Sequence, residues 1–466
     1  MTSRPLTRRQ TTWLLTVLFL ANVVNFYDRT IPAVVVEPIK AEFGLSDTMI
    51  GLLGGSFTVV YAIAGVLLGR LADRVQRRWI MAAGLFVWSL FTLGSGLASA
   101  FLVLFLFRLG VGIGEASYGP ASNTVVFDAF PPQRRSRAIS ILQTGIPVGL
   151  LLAFLTVGIM VEAFDSWRAP FVVAAVPGFL LAVLMLFVPE PRRGASDTER
   201  VDPLAAATGG DRPYRTILAI PTVRWLMVSG IGLQIPNYAV ATFVVPLLQR
   251  YFDLPIARAS IGAGAILGIA GILGLLLGGV LADRAAERSL GARLRIAAVG
   301  FALAIPVTLG ALLLGPGAAV LFIVLFAAGW TCTQFLGVAA TPAIADVAPP
   351  RIRATAIALY FASFNIIGAT LGPIITGALS DLLATPLPGL EADAVGLHRA
   401  LLVVVPLGLV VATVGAWRAS RTLEADHARV TDQSSTRGRS GRRRARRSQR
   451  RPRPPLRLSS RGPSGP

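Results

Sequence analysis

The chain has 466 residues, of which 54% are hydrophobic and 15% charged, and its net charge is +20. Soluble domains carry about 25% charged residues, so this composition excludes an ordinary soluble domain and indicates a polytopic membrane protein. The single cysteine, Cys332, cannot form an intrachain disulfide, and with only two histidines we expect neither a metal cluster nor a cofactor. The single lysine, Lys40, does not follow the glycines of a phosphate-binding GxxxxGKS/T loop, which excludes a P-loop ATPase.

Windows of about 20 apolar residues, the length that crosses a bilayer as a helix, predict an all-α membrane protein with twelve transmembrane helices. The predicted spans cover residues 12–36, 48–71, 79–98, 101–127, 138–161, 169–189, 223–248, 257–281, 294–314, 317–345, 355–380 and 399–417. Arginines cluster before the first span and after each even-numbered span, whereas the alternate loops are poor in arginine or carry acids. Positive charge in short loops marks the cytoplasmic side, so both termini are predicted to be cytoplasmic, in a plasma or inner membrane.

Two sequence echoes divide the chain into halves. Leu71-Ala-Asp-Arg74 returns as Leu281-Ala-Asp-Arg284, and Asp128-Ala-Phe-Pro-Pro132 returns as Asp346-Val-Ala-Pro-Pro350. Their nearly equal offsets indicate a duplicated six-span unit, which is typical of one large class of transporters. The predicted organisation is a cytoplasmic N-terminus (1–11), an N-terminal six-helix bundle (12–189), a cytoplasmic linker (190–221), a C-terminal six-helix bundle (222–420) and a disordered, Arg-rich cytoplasmic tail (421–466).

Motifs at these positions resemble a known family. Gly69-Arg-Leu-Ala-Asp73-Arg74-Val-Gln-Arg77-Arg78 resembles the signature loop of the major facilitator superfamily, with Gln76 where that family usually has glycine, and Arg108-Leu-Gly-Val-Gly-Ile-Gly114 matches its RxxxGxG pattern. Other stretches are similar to the Spinster group, which is associated with lysolipid and sphingosine-phosphate transport; they are Asn25-Phe-Tyr-Asp-Arg29, Gly114-Glu-Ala-Ser-Tyr118, Ile146-Pro-Val-Gly149 and Val188-Pro-Glu-Pro-Arg-Arg-Gly194. The anion–cation symporter group, which carries organic acids, has similar sequences around its first and fourth spans. The resemblance covers residues 12–420 and implies a secondary transporter with rocker-switch alternating access.

Four charges lie inside the predicted spans, away from their ends: Asp28, Arg29, Arg108 and Glu115. Each costs roughly 2.5–3.5 kcal/mol at a helix centre, so such residues are functional candidates. At a rise of about 1.5 Å per residue, Asp28 and Arg108 fall at overlapping depths in the outer half of the N-terminal bundle, which predicts that they pair. Arg29 points about 100° away from Asp28, and Glu115 is then the more isolated carboxylate and the better candidate for carrying a proton, with Arg108 as its modulator.

The C-terminal half contrasts with this, because its spans carry neutral polar and aromatic side chains in place of charges. One charged and one neutral half-cavity fit a molecule with a charged head and an apolar body, although neutral polar residues in spans often only join helices. The candidate cavity-lining residues are Tyr27, Tyr118, Gln234, Asn237, Tyr238, Trp330, Gln334 and Asn365.

The signature loop also predicts a cytoplasmic gate, a role that rests mainly on the family resemblance. Asp73, at the inner end of the second span, is expected to hold a neighbouring arginine or the start of the eleventh span near Arg353. The full set of candidate gate residues is Gly69, Asp73, Arg74, Arg77, Arg78, Asp283, Arg284 and Arg353.

The sequence therefore predicts a proton-linked secondary transporter for an amphipathic lysolipid-like or organic-anion substrate. An organic-acid or anion–proton symporter, or a drug efflux carrier of the same superfamily, is the alternative. A membrane sensor or an intramembrane enzyme is disfavoured, because the spans show no nucleophile–base pair and no set of metal ligands. The expected partners are the substrate, protons and membrane lipids, including anionic lipids near the basic tail, but no nucleic acid, and the protein is expected to be a monomer.

Overall fold

The computed structural model describes residues 6–72, 74–192, 213–349 and 352–449. In this part of the chain twelve helices are long and apolar enough to cross a membrane, which confirms the predicted number of spans and the all-α fold. Spans 1 to 12 are Arg8–Val34, Asp47–Ala72, Arg77–Gly96, Phe101–Ala129, Arg137–Phe164, Ala169–Leu186, Pro221–Arg250, Ile256–Ala286, Ala292–Leu312, Pro316–Val347, Thr355–Leu382 and Ala392–Arg429. Because their number is even, the first span begins and the last span ends on one side, called the inner side here; the opposite side is the outer side.

Spans 4 and 10 are each broken at one residue. The helices Phe101–Ala116 and Tyr118–Ala129 meet at Ser117, whose hydroxyl donates to the carbonyl of Gly114 at 2.7 Å. Span 10 is broken in the same way at Gln334, between Ala319–Thr333 and Phe335–Val347. The two breaks lie at similar distances before the Asp128 and Asp346 echoes, so the duplication seen in the sequence extends to the irregularities of the helices.

In the described part of the chain, the core that the two bundles share lies towards the outer side. The inner half of the N-terminal bundle has its own apolar core around Leu14 and Trp88. Its outer ends instead join the core of the C-terminal bundle, since Ile31 and Phe154 are buried in one cluster with Phe243. The outer ends of the two bundles are therefore packed as one body.

Glycines bring the bundles together at this outer end. A Cβ atom on Gly51 of span 2 would lie 2.4 Å from the carbonyl oxygen of Pro373 in span 11. A Cβ atom on Gly158 of span 5 would lie 2.8 Å from the backbone of Ala257 in span 8. Small residues allow helix backbones to approach this closely, so spans 2 and 11, and spans 5 and 8, close the outer side.

Span 12 corrects the prediction of a disordered tail beginning at residue 421. Its helix continues from Ala392 to Gln449, while the rest of the tail lies outside the described residues. Leu423 is fully buried, and Asp426 accepts hydrogen bonds from the backbone and hydroxyl of Thr222 at 3.0 and 2.7 Å. These contacts with the start of span 7 keep the helix folded where composition alone predicted disorder. The linker prediction falls largely on 193–212, outside the described residues; beyond it, Pro213–Leu218 forms a short helix.

We expect Gly114→Ala to destabilise the N-terminal bundle. The new Cβ atom would lie 2.7 Å from the backbone nitrogen of Trp88 and 3.0 Å from the carbonyl oxygen of Gly84, and overpacking of this kind costs about 1–3 kcal/mol. Gly271→Ala is the matched control, because a Cβ atom there meets nothing within 4 Å. Thermal unfolding of the two purified variants tests this: equal midpoints would contradict tight packing at Gly114.

Candidate transport site

The four intramembrane charges, named the central charge set here, form two ion pairs. Arg108 Nη1 of span 4 lies 3.4 Å from Asp28 Oδ1 of span 1, as predicted from their depths. Thr92 of span 3 donates its hydroxyl to the other oxygen of Asp28. Asp28 and Arg108 are only 1% and 3% exposed, so a cation and a hydroxyl satisfy a carboxylate that has almost no access to water.

Glu115 is not the isolated carboxylate that the sequence predicted. Arg29 Nη2 and Nε lie 2.6 and 3.1 Å from Glu115 Oε2. The helical turn between consecutive residues sends Arg29 away from Asp28 and towards span 4, and this rotation joins it to Glu115. The second oxygen, Oε1, is buried and has no hydrogen-bond partner among the described residues. Among the described side-chain atoms of the central charge set, it is the buried one without a hydrogen-bond partner.

Arg29 is the most accessible member of the set. Its side chain is 26% exposed, against 0% for Glu115 and 4% and 2% for Arg108 and Asp28. Three aromatic rings surround its guanidinium, with centroid distances of 5.0 Å to Phe26, 5.1 Å to Phe57 and 4.7 Å to Tyr61. Rings at such distances stabilise a cation through their quadrupoles. A cation can therefore remain here after its carboxylate partner is removed.

Tyr238 of span 7 lies near Arg29 and Tyr61, so the second bundle borders the same place. Gln234, one turn before Tyr238, and Asn237, the residue directly before it, are half-buried and share a hydrogen bond of 3.0 Å. Among the cavity candidates, Tyr238 is thus the one from the C-terminal bundle that reaches the central charge set in the described structure.

Other predicted cavity residues lie elsewhere. Tyr118 is 3% exposed and donates to the carbonyl of Leu18, so it belongs to the core of the N-terminal bundle. Trp330 is 1% exposed and stacks on Phe326 in the other core, because large rings fill the spaces between helices. The remaining candidates bond within their own bundles: Tyr27 to Thr156, Gln334 to Thr333 and Asn365 to the carbonyl of Phe361.

One predicted gate residue, Arg77, is held within a single bundle in the structure. Arg77 is buried at 4% exposure and pairs with Asp128 and Glu190 at 2.5 and 3.3 Å, within the N-terminal bundle. The Glu190 carboxylate also accepts the backbone N–H of Arg77, and so caps the start of span 3. Arg77 therefore joins loops of one bundle in this structure, and its role in a cytoplasmic gate stays a prediction.

The C-terminal bundle repeats this arrangement. Arg293 Nη1 lies 3.2 Å from Asp346 Oδ2, and Asp346 is the sequence echo of Asp128. The other gate candidates are distributed as follows: Asp73 lies outside the described residues, Gly69 and Arg78 are half-buried, and Arg74, Asp283, Arg284 and Arg353 are exposed on the inner side.

A second charged cluster, which the sequence analysis missed, joins the bundles on the outer side. We name Glu37, Lys40, Asp47, Arg250 and Asp393 the outer latch. Arg250 of span 7 binds both oxygens of Asp47 at 2.7 and 2.9 Å and Glu37 at 2.8 Å. Lys40 reaches Asp47 at 2.9 Å and Asp393 at 2.6 Å. Asp47 is 1% exposed, so its pairs with the two cations are shielded from water.

Two further carboxylates, Asp381 and Glu42, form hydrogen bonds and ion pairs on the outer side. Asp381 of span 11 accepts the backbone N–H groups of Asp47 and Thr48, both at 2.9 Å, and so caps span 2 from the opposite bundle. Within the N-terminal bundle, Glu42 pairs with Arg168 at 2.5 Å. Hydrogen bonds from Arg168, and then from Trp167, lower the pKa of Glu42 to about 2, so this carboxylate stays ionised at physiological pH.

The signal for the outer latch was present in the sequence. Asp47 and Arg250 carry opposite charges at the outer ends of predicted spans, but charges at span ends are also the usual markers of topology. A search for opposite charges at equal depth in different halves would have found this pair.

Comparisons with known proteins agree with this architecture. The sequence profile of the Major Facilitator Superfamily matches residues 18–332. An MFS-type efflux pump of Mycolicibacterium smegmatis is 32% identical over 88% of this chain and 92% of its own length. A sphingosine-1-phosphate transporter of Xenopus tropicalis is 29% identical over 79% of this chain and 73% of its own length.

A solved structure is similar to this chain over most of its length. It is a bacterial homologue of the human lysosomal transporter Spinster, in an inward-facing and unoccupied conformation. It aligns with a TM-score of 0.81 and 31% identity, over 90% of this chain and 99% of that one.

Proposed function

We propose that this chain, which belongs to the major facilitator superfamily as a transporter of the Spinster group, is a proton-linked carrier of an amphipathic anion. The observation that carries this proposal is the Arg29–Glu115 pair. Its cation is 26% exposed while its carboxylate is fully buried, so an anion entering the cavity meets the cation first. The second pair, Asp28–Arg108, is almost fully buried and holds spans 1 and 4 together.

The exchange of partners at Arg29 supplies the coupling to protons. An anionic headgroup that binds Arg29 competes with Glu115 for the same guanidinium. A buried carboxylate without a cation is strongly destabilised as an anion, so the displaced Glu115 takes up a proton. Net charge is conserved, because one anion and one proton enter together, and both leave when Arg29 and Glu115 pair again.

The surroundings of Arg29 favour an amphipathic substrate. The cation lies among Phe26, Phe57 and Tyr61, whereas Gln234, Asn237 and Tyr238 of span 7 in the C-terminal bundle are uncharged. A headgroup on Arg29 and an apolar body against the rings and the neutral bundle match this division. Lysolipid-like anions have this form.

The transport cycle is alternating access by rocking of the bundles, in a cell membrane with both termini cytoplasmic. The outer latch and the close packing of spans 2 and 11 support an outer side that is closed in this state. Gate candidates such as Arg74 and Arg353 are exposed, which supports an open inner side. The substrate then reaches Arg29 from the cytoplasmic side in this state.

Reconstituted vesicles test the proposal. The full chain is purified into liposomes, and uptake of labelled lysolipids, including sphingosine phosphate, is compared with uptake of small carboxylates, with and without a pH gradient. We expect lysolipid transport that responds to the gradient. Transport of carboxylates with no response to any lysolipid would exclude an amphipathic substrate. Transport at the same rate with and without the pH gradient would exclude coupling to protons.

The alternative is efflux of an organic anion or drug by the same site. The 32% identity to an MFS-type efflux pump supports it, since that relative matches 88% of this chain. Vesicles of opposite orientation, assayed with an amphipathic drug and a lysolipid in competition, distinguish the two substrate classes.

Substitution of Arg29 is expected to weaken binding of the anionic substrate. Hydrogen bonds to charged groups contribute about 1.5–3 kcal/mol, so Arg29→Gln should raise the Kd by roughly 10–150-fold. Arg29→Lys keeps the positive charge but loses the planar guanidinium. Its Kd should therefore lie between those of the wild type and Arg29→Gln. Equilibrium binding of the anion and of a neutral-headed analogue checks this. Equal losses for both ligands would mean that Arg29 does not contact the headgroup.

A further inference from the structure

A cavity of about 890 Å³ lies at the inner end of the N-terminal bundle, apart from the central charge set. Span 1 supplies most of its wall over the first three helical turns, and the segment after span 6 supplies the rest. The residues that line it are Arg8, Arg9, Gln10, Thr12, Trp13, Thr16, Phe187 and Pro189. None of these lining residues, all of them in the described part of the chain, is acidic.

The cavity changes from cationic to apolar along span 1. Arg8 and Arg9 are exposed at its mouth, while Trp13 lies about 6 Å deeper along the helix axis. Trp13 is 38% exposed and Phe187 is 71% exposed, so both rings face the surroundings of the bundle. Two cations above exposed rings complement a molecule with an anionic head and apolar chains.

The depth of the cavity agrees with the boundary between membrane and water. Trp13, Trp79 and Trp417 are the exposed tryptophans among the described residues. Trp13 and Trp79 lie near the inner ends of their spans, and Trp417 lies in the inner half of span 12. Arg78 and Arg421 lie over Trp79 and Trp417, with their guanidinium carbons 5.7 and 5.3 Å from the ring centroids. Tryptophan is enriched where lipid headgroups begin, so this belt marks the headgroup level of the inner leaflet.

We propose that this cavity binds an anionic glycerophospholipid of the leaflet on the inner side. The phosphate lies between Arg8 and Arg9, the hydroxyl of Thr12 and the amide of Gln10 are the neutral polar groups within reach, and the first acyl carbons pack against Trp13 and Phe187. The apolar wall and its exposure at the bundle surface favour a lipid over a free phosphate, which would use the cations alone. The site is separate from Arg29, so it does not depend on the proposed transport reaction.

Quenching of Trp13 tests the site. The full chain is placed in nanodiscs of phosphatidylcholine that contain a minor fraction of phosphatidylglycerol, with acyl-chain bromines on one lipid or the other. The fluorescence of Trp13 is obtained as the difference in tryptophan emission between the wild type and Trp13→Phe. We expect brominated phosphatidylglycerol to occupy the site with a preference of roughly tenfold over brominated phosphatidylcholine.

Two arginine variants assign this preference. The double variant R8Q/R9Q should lose it, whereas R215Q/R224Q, which removes two exposed arginines outside the cavity on the inner side of the other bundle, should keep it. Equal quenching by the two lipids in the wild type overturns the proposal without any variant. So does an unchanged preference in R8Q/R9Q, or its loss when inorganic phosphate replaces chloride at constant ionic strength.

Discussion

Glu115→Gln is expected to abolish the pH dependence of substrate binding while leaving binding itself intact. In the wild type one proton enters with each anion, so the affinity for the anion should fall by up to about tenfold per pH unit as the pH rises. Glutamine fills the place of Glu115 but cannot take up a proton or neutralise Arg29. Binding of the anion should therefore become tight and independent of pH, and accumulation driven by a pH gradient should be lost.

Binding isotherms across a range of pH, together with vesicle uptake, measure both consequences. Glu42→Gln is the matched control, because Glu42 is also paired with an arginine but lies on the outer side, and its pKa of about 2 keeps it from titrating in this range. Its pH profile should be that of the wild type. If substrate binding still depended on pH in Glu115→Gln, another group would carry the proton. That result would contradict the exchange of partners at Arg29.

The pairing of the central charge set shows what sequence reasoning can reach. The depths of Asp28 and Arg108 follow from counting residues along two apolar helices, and their pairing was predicted correctly. The prediction that Glu115 is the more isolated carboxylate is wrong, because its pairing with Arg29 depends on the rotation of span 1 about its axis relative to span 4. That rotation is set by side-chain packing among several helices, such as the contact between Gly149 and the backbone of Val23, and no single periodicity encodes it.

The partners of charges near the ends of spans were harder to predict from the sequence. From the sequence, no functional role is assigned to Asp47 or Arg250 and Arg77 is placed in a family motif, yet all three form ion pairs. Asp47 and Arg77 are buried, and the side chain of Arg250 is only 8% exposed. Each pair joins residues far apart in the chain, so it becomes visible only when the helices are assembled. Asp426 is a similar case, since its hydrogen bonds to Thr222 anchor the polar end of span 12 to the start of span 7.

The central charge set and the outer latch are connected through span 1. Arg29 is followed by the rest of that helix and then by the short helix Val36–Phe43, which carries Glu37 and Lys40. The distance along the chain from Arg29 to Glu37 is about 12 Å at helical rise. A movement of span 1 when Arg29 changes partner would therefore be transmitted to the latch, which gives a physical route from substrate binding to opening of the outer side.

Asp47→Asn is expected to shift the protein towards an outward-open state. The carboxylate of Asp47 binds Arg250 through two hydrogen bonds, and it also holds Lys40 and Ser380. Removing one partner of a buried pair costs about 3–5 kcal/mol, since it leaves the other charge without compensation. That cost falls on the closed outer side, so opening should become more favourable by a factor of roughly a hundred or more.

A cysteine at the closure reports this shift. Cys332→Ser removes the native thiol, and Ile374→Cys places a new one in span 11, where the native side chain packs against Gly55. Reaction with a membrane-impermeant maleimide from the outer side should accelerate strongly in Asp47→Asn. It should stay slow in Glu42→Gln, whose ion pair lies within one bundle.

The double variant Asp47→Asn with Arg250→Gln separates the latch from a general loss of stability. If the latch acts through its charges, removing the stranded Arg250 cation as well should bring the labelling rate part of the way back to the wild type. Additive acceleration in the double variant would contradict the pairing as the cause. An unchanged rate in Asp47→Asn would show instead that the packing of Gly51 and Gly55 against span 11 holds the outer side closed without the latch.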